Sequence, residues 1–327
     1  MATRQGNVNA ASGYWEEAFY HAYTAGYRQI LQEENDAYAG TTDVDSLQGD
    51  NKSYDFVGSI EMTKKSVRFA DIPVEEIAHN RRWMFPEWYE KAVFVDNEDQ
   101  IALLADPTSA YITAMAKAII RVKNDVINNA FFGSVRGGEN PGDDTYTFDD
   151  AAVFVVTSEG GRVIVHDAKL NFAVGGTSTG LTIDKLILAR QAMIELKNNP
   201  NEKFHIGVAP KQLSDLLRSA ETQSIDTAII RSLIAGTVTE FMGFQFHIDH
   251  NIVVGSSNDM NSDTNVFRCP CWSKMGILYA QHLSPMFRVD WLPRKGIWQV
   301  SAKSGQNAIR MDEDKVLLIE CIDTTEA

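Results

Sequence analysis

The sequence predicts an α+β protein, with helices in the first two thirds of the chain and an antiparallel sheet closing it. Two observations carry this. A long amphipathic helix with clear end signals spans 107–132, and a second follows at Leu181–Asn198. After residue 280 the pattern changes to short alternating or apolar runs, Phe287–Trp291, Ile297–Ala302, Ala308–Met311 and Val316–Ile322, separated by Gly or Pro turns.

In chain order, Tyr14–Gln32 reads as a helix with one apolar stripe: Trp15, Phe19, Ala22, Tyr23, Gly26 and Ile30. The stripe is rich in aromatics, so this helix needs another surface to lie on. Residues 35–70 are polar and punctuated by Gly40, Gly49 and Gly58. Alternation at Asp55–Ile60 and Ser66–Phe69 predicts a long hairpin-like arm. So little apolar mass cannot offset the entropy of ordering the arm, which therefore needs cover from elsewhere. Residues 71–100 concentrate Arg81, Arg82, Trp83, Met84, Phe85, Trp88, Tyr89 and Phe94. Trp, Tyr and Arg together mark an interface anchor.

The long helix follows. Asp106 is a good N-cap and Pro107 suits the first helical position. Ile112, Met115, Ala116, Ile119, Ile120, Ile127, Ala130 and Phe131 keep three-four spacing, and Gly133 is placed for a left-handed C-cap. Residues 107–132 make a rod of ~39 Å, about twice the average globular helix. A Gly, Asp and Pro loop covers 136–150. A hairpin is expected from Ala152–Val156 and Arg162–His166 around Glu159-Gly160-Gly161, and Gly175–Gly180 is a breaker. Thr182 is the expected N-cap of the second helix. Phe204–Ala209 reads as a buried strand, Pro210 opens a helix through Leu213, Leu216 and Leu217, and Phe241–Ile248 reads as a strand.

Composition narrows the function. The 327 residues are 44% hydrophobic, enough for a core in one large or two modest domains. Lys plus Arg number 30 against 44 Asp plus Glu, a net charge of −14. A general nucleic-acid binder is basic, because phosphate neutralisation supplies its affinity, so that class is excluded. The acidity fits a protein that stays off nearby DNA. No apolar run approaches the ~20 residues of a membrane helix, and the polar N-terminus has no signal-peptide core. Cys269, Cys271 and Cys321 are too few for a disulfide framework and fit a reducing cytosol.

Motifs for chemistry are sparse. Gly133–Gly138 and Gly175–Gly180 lack the Lys of a phosphate loop. Asn140–Asp144 and Asn258–Asp263 do not follow the calcium-loop pattern and read as solvated loops. One constellation has the right atoms for zinc: His247, His250, Cys269 and Cys271. Its spacing is poor, and strand packing is the plainer account. On this reading no catalytic, cofactor-binding or metal residues are assigned.

Taken together these segments resemble the tailed-bacteriophage major capsid proteins of the Hong Kong 97-like fold. The resemblance rests on Val95–Asp99 with Asp106–Tyr111, then Ala209–Leu213, Trp272–Gly276 and Ala308–Met311, in that order along nearly the whole chain. It implies an N-terminal arm (1–34), an extended β-hairpin loop over a neighbouring subunit (35–80), and a peripheral domain (81–204). That domain holds a spine helix at 107–132 and an insertion at 134–178. An axial domain (205–270) follows, and 271–327 returns to the peripheral sheet. Trp15, Phe19, Tyr23, Phe56, Arg81, Arg82, Trp83 and Trp88 become inter-subunit contact candidates. Ile112, Met115, Ile119, Ile120, Ile127 and Phe131 become the core face of the spine helix.

The implied function is structural, not enzymatic. Hexamers and pentamers of the chain build an icosahedral shell around double-stranded DNA, in the virion and, during assembly, in the bacterial host cytoplasm. Expected partners are further copies of the chain, a separate scaffolding protein, a portal and a decoration or cement protein, with no membrane. The short arm predicts that scaffolding is a separate chain. Lys52, Lys64 and Lys65 lie on the loop, but no crosslink acceptor is assignable, so no covalent crosslinks are expected. The competing readings are a tail or decoration subunit and a metal-dependent enzyme built on the His/Cys group.

Overall fold

The computed structural model describes residues 36–58, 60, 62–65, 72, 74, 76–77, 79–96, 108–148, 155–156, 162–163, 169–170, 180–196, 198–222, 240–252 and 266–322. The expected arm at 1–34, Asp106 and Pro107 lie outside these residues.

The elements in chain order are β1 (Asp43–Ser46), β2 (Lys52–Val57), β3 (His79–Met84), β4 (Trp88–Asp96), α1 (Thr108–Phe132), β5 (Val135–Gly137), β6 (Asp144–Tyr146), β7 (Val155–Val156), β8 (Arg162–Val163) and β9 (Lys169–Leu170). Then come α2 (Ile183–Glu195), β10 (Phe204–Val208), α3 (Pro210–Thr222), β11 (Glu240–Phe241), β12 (Phe244–Ile248), β13 (Val266–Ser273), β14 (Ile277–Leu292), β15 (Ile297–Arg310) and β16 (Val316–Ile322). The class is α+β, as the sequence predicts.

The described residues form two compact units. The first takes its residues from Trp88–Val122 and Leu283–Gly305. In it β15 pairs antiparallel with β4, from Ile297 opposite Asp96 to Gly305 opposite Trp88. Alternation turns Val93, Val95, Trp298, Val300 and Ala302 to one face, where they meet Met115 of α1 and half-buried Tyr111, Ile112 and Ile119. This apolar seam seats the first half of α1.

Two strands predicted separately prove to be one. Ile297–Ala302 and Ala308–Met311 join in β15, because Gly305 is not a turn. It stays in the ladder opposite Trp88, whose ring carbon Cζ3 lies 3.1 Å from where a Cβ would stand. Glycine in a strand here marks a close approach rather than a break.

The second unit takes its residues from Asp36–Glu87, Lys123–His282 and Gln306–Ala327. Its larger sheet has the order β11-β12-β10-β13-β16-β9. One face carries Phe204, Ile206, Phe244, Cys269, Cys271, Leu317, Ile319 and Cys321 against Leu186, Ala189 and Met193 of α2 and Leu213 and Leu216 of α3. Full burial of each large aliphatic side chain contributes roughly 1.5–3 kcal/mol. Thr182 caps α2, its hydroxyl accepting from the Lys185 amide at 3.3 Å. The helix ends at Glu195, short of the predicted Asn198. The Asn198 amide instead donates to the Met193 and Asp314 carbonyls at 3.0 and 2.8 Å. The predicted strand Phe241–Ile248 splits into β11 and β12 around Met242 and Gly243, both at positive φ (52° and 81°). That pair forms a primed hairpin turn.

A smaller sheet in this unit has the order β2-β3-β5-β6. It contains a hairpin, with Lys52 opposite Met84 through Val57 opposite His79; its second strand is β3, whereas the expected Ser66–Phe69 lies outside the described residues. Several expectations are corrected here. Residues 36–47 are packed rather than part of an extended loop: 36–42 form turns with Ala37 and Tyr38 buried, β1 pairs in parallel with β14, and Leu47 is buried. Of the described strands in 134–178, β5 and β6 extend the sheet of β3 and β9 adds to β16, while β7 and β8 pair only with each other. The seams at 204/205 and 270/271 also differ, because β16 shares the six-stranded sheet with β10 and β13.

Gly133 is not a left-handed C-cap. It lies outside the positive-φ region, and its amide continues the helical pattern to the Asn129 carbonyl at 2.8 Å. The helix end is satisfied instead by Arg310, whose Nη1 donates to the Phe131 and Gly133 carbonyls at 2.8 and 3.2 Å. A cation suits the negative end of a helix dipole.

Candidate functional site

Among the described residues the candidate sites are surfaces and the packing that holds them. The first surface is the β2–β3 hairpin and the stretch between its strands. Asp55 and Arg81 face each other across it, Nε to Oδ1 at 2.5 Å and Nη2 to Oδ2 at 3.2 Å. The Arg81 hydrogen bonds hold the Asp55 carboxyl below its usual range. Both side chains are solvent-exposed, so the fork sets register more than stability. Phe56 is half-buried, and Trp83 donates from Nε1 to the Gly138 carbonyl at 3.0 Å. Beyond the paired residues, Met62 is 95% exposed and Val74 94%, with Ile60 and Ile72 also exposed, as is Val57 at the end of the ladder. So many apolar side chains presented to solvent mark an interaction surface.

Arg82 corrects the list of contact candidates. It is 5% exposed, donates from Nη1 to the Arg310 carbonyl at 2.9 Å, pairs with Glu313 and lies 4.6 Å from the Tyr146 ring centroid. Its work lies inside its own subunit. In the first unit Trp88 is half exposed, with the Lys303 amine 5.0 Å from its ring centroid. Trp15, Phe19 and Tyr23 lie outside the described residues. Along α1, Ile127 and Phe131 are fully buried and Met115 nearly so, while Ile112, Ile119 and Ile120 are half-buried.

The proposed His/Cys group is not brought together. On β12 Phe244 and Phe246 face the helices, so His247 takes the opposite face; on β13 Cys269 and Cys271 share the helix side with them. His250 is exposed on a loop. Among the described residues no cluster of three His, Cys, Asp or Glu is placed to hold a metal ion. The metal-enzyme alternative therefore loses its ligands to strand alternation.

That opposite face holds something else. His205 Nδ1 and His247 Nε2 are 3.0 Å apart, and both rings pack on fully buried Trp272 at 5.6 and 5.9 Å. Burial lowers both histidines to about 4; the neighbouring His247, Lys274 and Lys203 also lower His205, whereas a hydrogen bond to the Ala37 backbone opposes the shift at His247. Beside them is a buried polar knot. The Tyr38 hydroxyl lies 2.5 Å from Asn128 Oδ1 and 2.9 Å from Asp249 Oδ2, and Asn128 Nδ2 donates to the same Asp249 oxygen at 2.6 Å. Burial and the Asp249 charge push the Tyr38 phenol well up, so it remains a donor. The knot ties α1 to the chain on both sides of it. Sequence reasoning missed Tyr38, Asn128, His205, Asp249 and Arg310. All but Tyr38 are polar residues in apolar stretches, which signals burial but names no partner.

The histidine pair makes a pH prediction. Above about pH 6.5 both states hold neutral imidazoles and no linkage exists. Between 6.5 and 4 the unfolded chain takes up protons that the folded chain refuses, so stability falls as pH falls. Thermal midpoints should drop between about pH 7.5 and pH 5, and a His205→Gln/His247→Gln double variant should show a flatter profile. An unchanged slope in that variant would assign the loss to carboxylates instead.

A chain whose polar chemistry is spent on internal ties, while apolar side chains face outward, belongs to the class of structural subunits that complete their packing against partners. The phage capsid protein family matches residues 16–323, so the chain belongs to that family and functions as a major capsid protein, a subunit of the phage shell. Solved structures agree on the fold. The capsid of Ralstonia phage GP4 is 12% identical with a TM-score of 0.62, covering 93% of this chain and 95% of that one. The cyanophage Pam1 capsid is 10% identical at 0.62, covering 93% and 96%. The capsid of a native GTA particle is 11% identical at 0.60, covering 92% and 94%. The fold is thus the Hong Kong 97-like one expected from the sequence. No curated protein matches the chain significantly. This family and fold are structural, and among the described residues no helix is long and apolar enough to cross a membrane.

Proposed function

We propose that the chain assembles as hexamers and pentamers into an icosahedral shell enclosing double-stranded DNA. Residues 48–80 act as the extended loop laid on a neighbouring subunit, and the unit built on α1, β4 and β15 acts as the peripheral domain. The six-stranded sheet with α2 and α3 acts as the axial domain around the symmetry centres. Assembly takes place in the bacterial host cytoplasm with a separate scaffolding protein and a portal, and a decoration protein joins the finished shell. The packaged DNA is a neighbour rather than a specific ligand, in keeping with the net charge of −14.

The observation that carries this reading is the exposure of Met62 and Val74 beside a paired hairpin. Closed symmetry repeats one such contact in every subunit. Co-expression with scaffolding should give round shells by electron microscopy, whereas tubes would favour a tail subunit. Met62→Asp and Val74→Asp sit on exposed positions, so the subunit should keep its circular dichroism and thermal midpoint yet build no shells. Normal shells from both variants would remove the loop from the interface.

A further inference from the structure

The first unit carries an apolar groove of ≈ 460 Å³ that the capsid reading does not use. One wall is a stripe of α1, Tyr111, Ala114, Ala118 and Val122, and the floor includes Val93 and Ala302. The two alanines make the recess: they leave room where larger side chains would fill it. Lys91 and Arg121 stand at its rim.

We propose that this groove is the seat of the same chain's residues 14–32. Those residues lie outside the described ones, but their sequence carries the matching surface: a stripe of Trp15, Phe19, Tyr23 and Ile30 at helical spacing. Large aromatics suit a wall of small side chains, as ridges fit grooves between helices. The lengths agree as well. Tyr111 to Val122 spans ~16.5 Å of helix, and Phe19 to Ile30 spans the same ~16.5 Å.

The chain's point of arrival selects this occupant over a second copy. The described chain begins at Asp36, whose Oδ2 accepts from Lys123 Nζ at 2.5 Å. Lys123 is the residue of α1 that follows Val122, the end of the groove wall. From Gln32 to Asp36 the backbone reaches at most ~14 Å. The C-terminal end of the segment is therefore delivered to the Val122 end of the groove, and the segment runs parallel to α1, with Ile30 near Val122 and Phe19 near Tyr111. Its acidic Glu33 and Glu34 then arrive at the end that carries Arg121, opposite in sign.

The test is disulfide trapping in the full-length, unassembled subunit. The three native cysteines are fully buried and do not compete. An Ala22→Cys/Ala114→Cys pair, opposite each other in this register, oxidised with oxidised glutathione, should form a bond within one chain, seen at monomer mass and mapped by peptide mass spectrometry. An Ala22→Cys/Val44→Cys pair should form none. Independently, filling the recess with Ala118→Trp should raise amide hydrogen exchange across residues 14–32 several-fold. The proposal is overturned if the 22–114 bond joins two chains, if it fails to form, or if Ala118→Trp leaves exchange of 14–32 unchanged. Shell formation is scored separately, so failure here does not count against the capsid assignment.

Discussion

Trp272→Ala should destabilise the subunit by about 3–5 kcal/mol, the range for deleting a large buried aromatic. Trp272 has no exposed surface, and its ring lies 4.6 Å from Phe131 and 5.6 Å from both Tyr38 and His205. Its Nε1 donates to the Thr41 carbonyl at 3.0 Å. One side chain thus connects β13, α1 and the chain that enters at residue 36. Removing it opens a cavity among rings that cannot all move in. Typical domains have only ~5–15 kcal/mol in total, so the variant should be largely insoluble or show a much lower denaturation midpoint. Trp272→Phe keeps most of the packing and loses the hydrogen bond, so it should cost much less. Equal losses for the two variants would mean that the hydrogen bond, not packing, dominates.

Arg310→Met should have an effect of similar size for a different reason. Arg310 is fully buried, caps the Phe131 and Gly133 carbonyls, and its Nε lies 3.6 Å from Glu313. Methionine fills the volume but leaves two helix-terminal carbonyls without this donor and removes one of two cations beside Glu313, Arg82 being the other. Breaking a buried ion pair by deleting one partner costs about 3–5 kcal/mol. Arg310→Lys restores the charge but not the fork, so urea midpoints should order as wild type, then Lys, then Met. Arg81→Met, by contrast, removes a closer, two-bond pair that is open to solvent. Its unfolding midpoint should barely move. Coulomb energy is screened at the Asp55 pair and not at Arg310, so the same chemistry has different weight.

Much of the fold was legible in the chain. The span of α1 was legible to within a residue, because twenty-five residues of regular spacing leave a period-3.6 signal that no strand imitates. Thr182, β10 and the start of α3 at Pro210 were legible for similarly local reasons. Strand ends were less so. Gly305 and the Met242-Gly243 pair both look like turn signals, yet one stays in a ladder and the other makes a hairpin. The difference lies in what packs against them, the Trp88 ring in one case and the Arg190 guanidinium in the other.

The candidate surfaces divide in the same way. That the 35–80 stretch cannot bury itself followed from its composition alone, and the chain's acidity set it apart from DNA-binding proteins. Those are sums over residues, independent of where each one goes. The sequence alone therefore determined the class, the long helix and the need for partners. Only the tertiary structure decided that Arg82 is internal, that His247 and Cys269 face opposite ways, and that Arg310 rather than Gly133 ends α1. Each of those depends on contacts between residues far apart in sequence, up to 231 positions for Arg82 and Glu313. Local periodicity says which face a side chain takes; it does not say what will be waiting there.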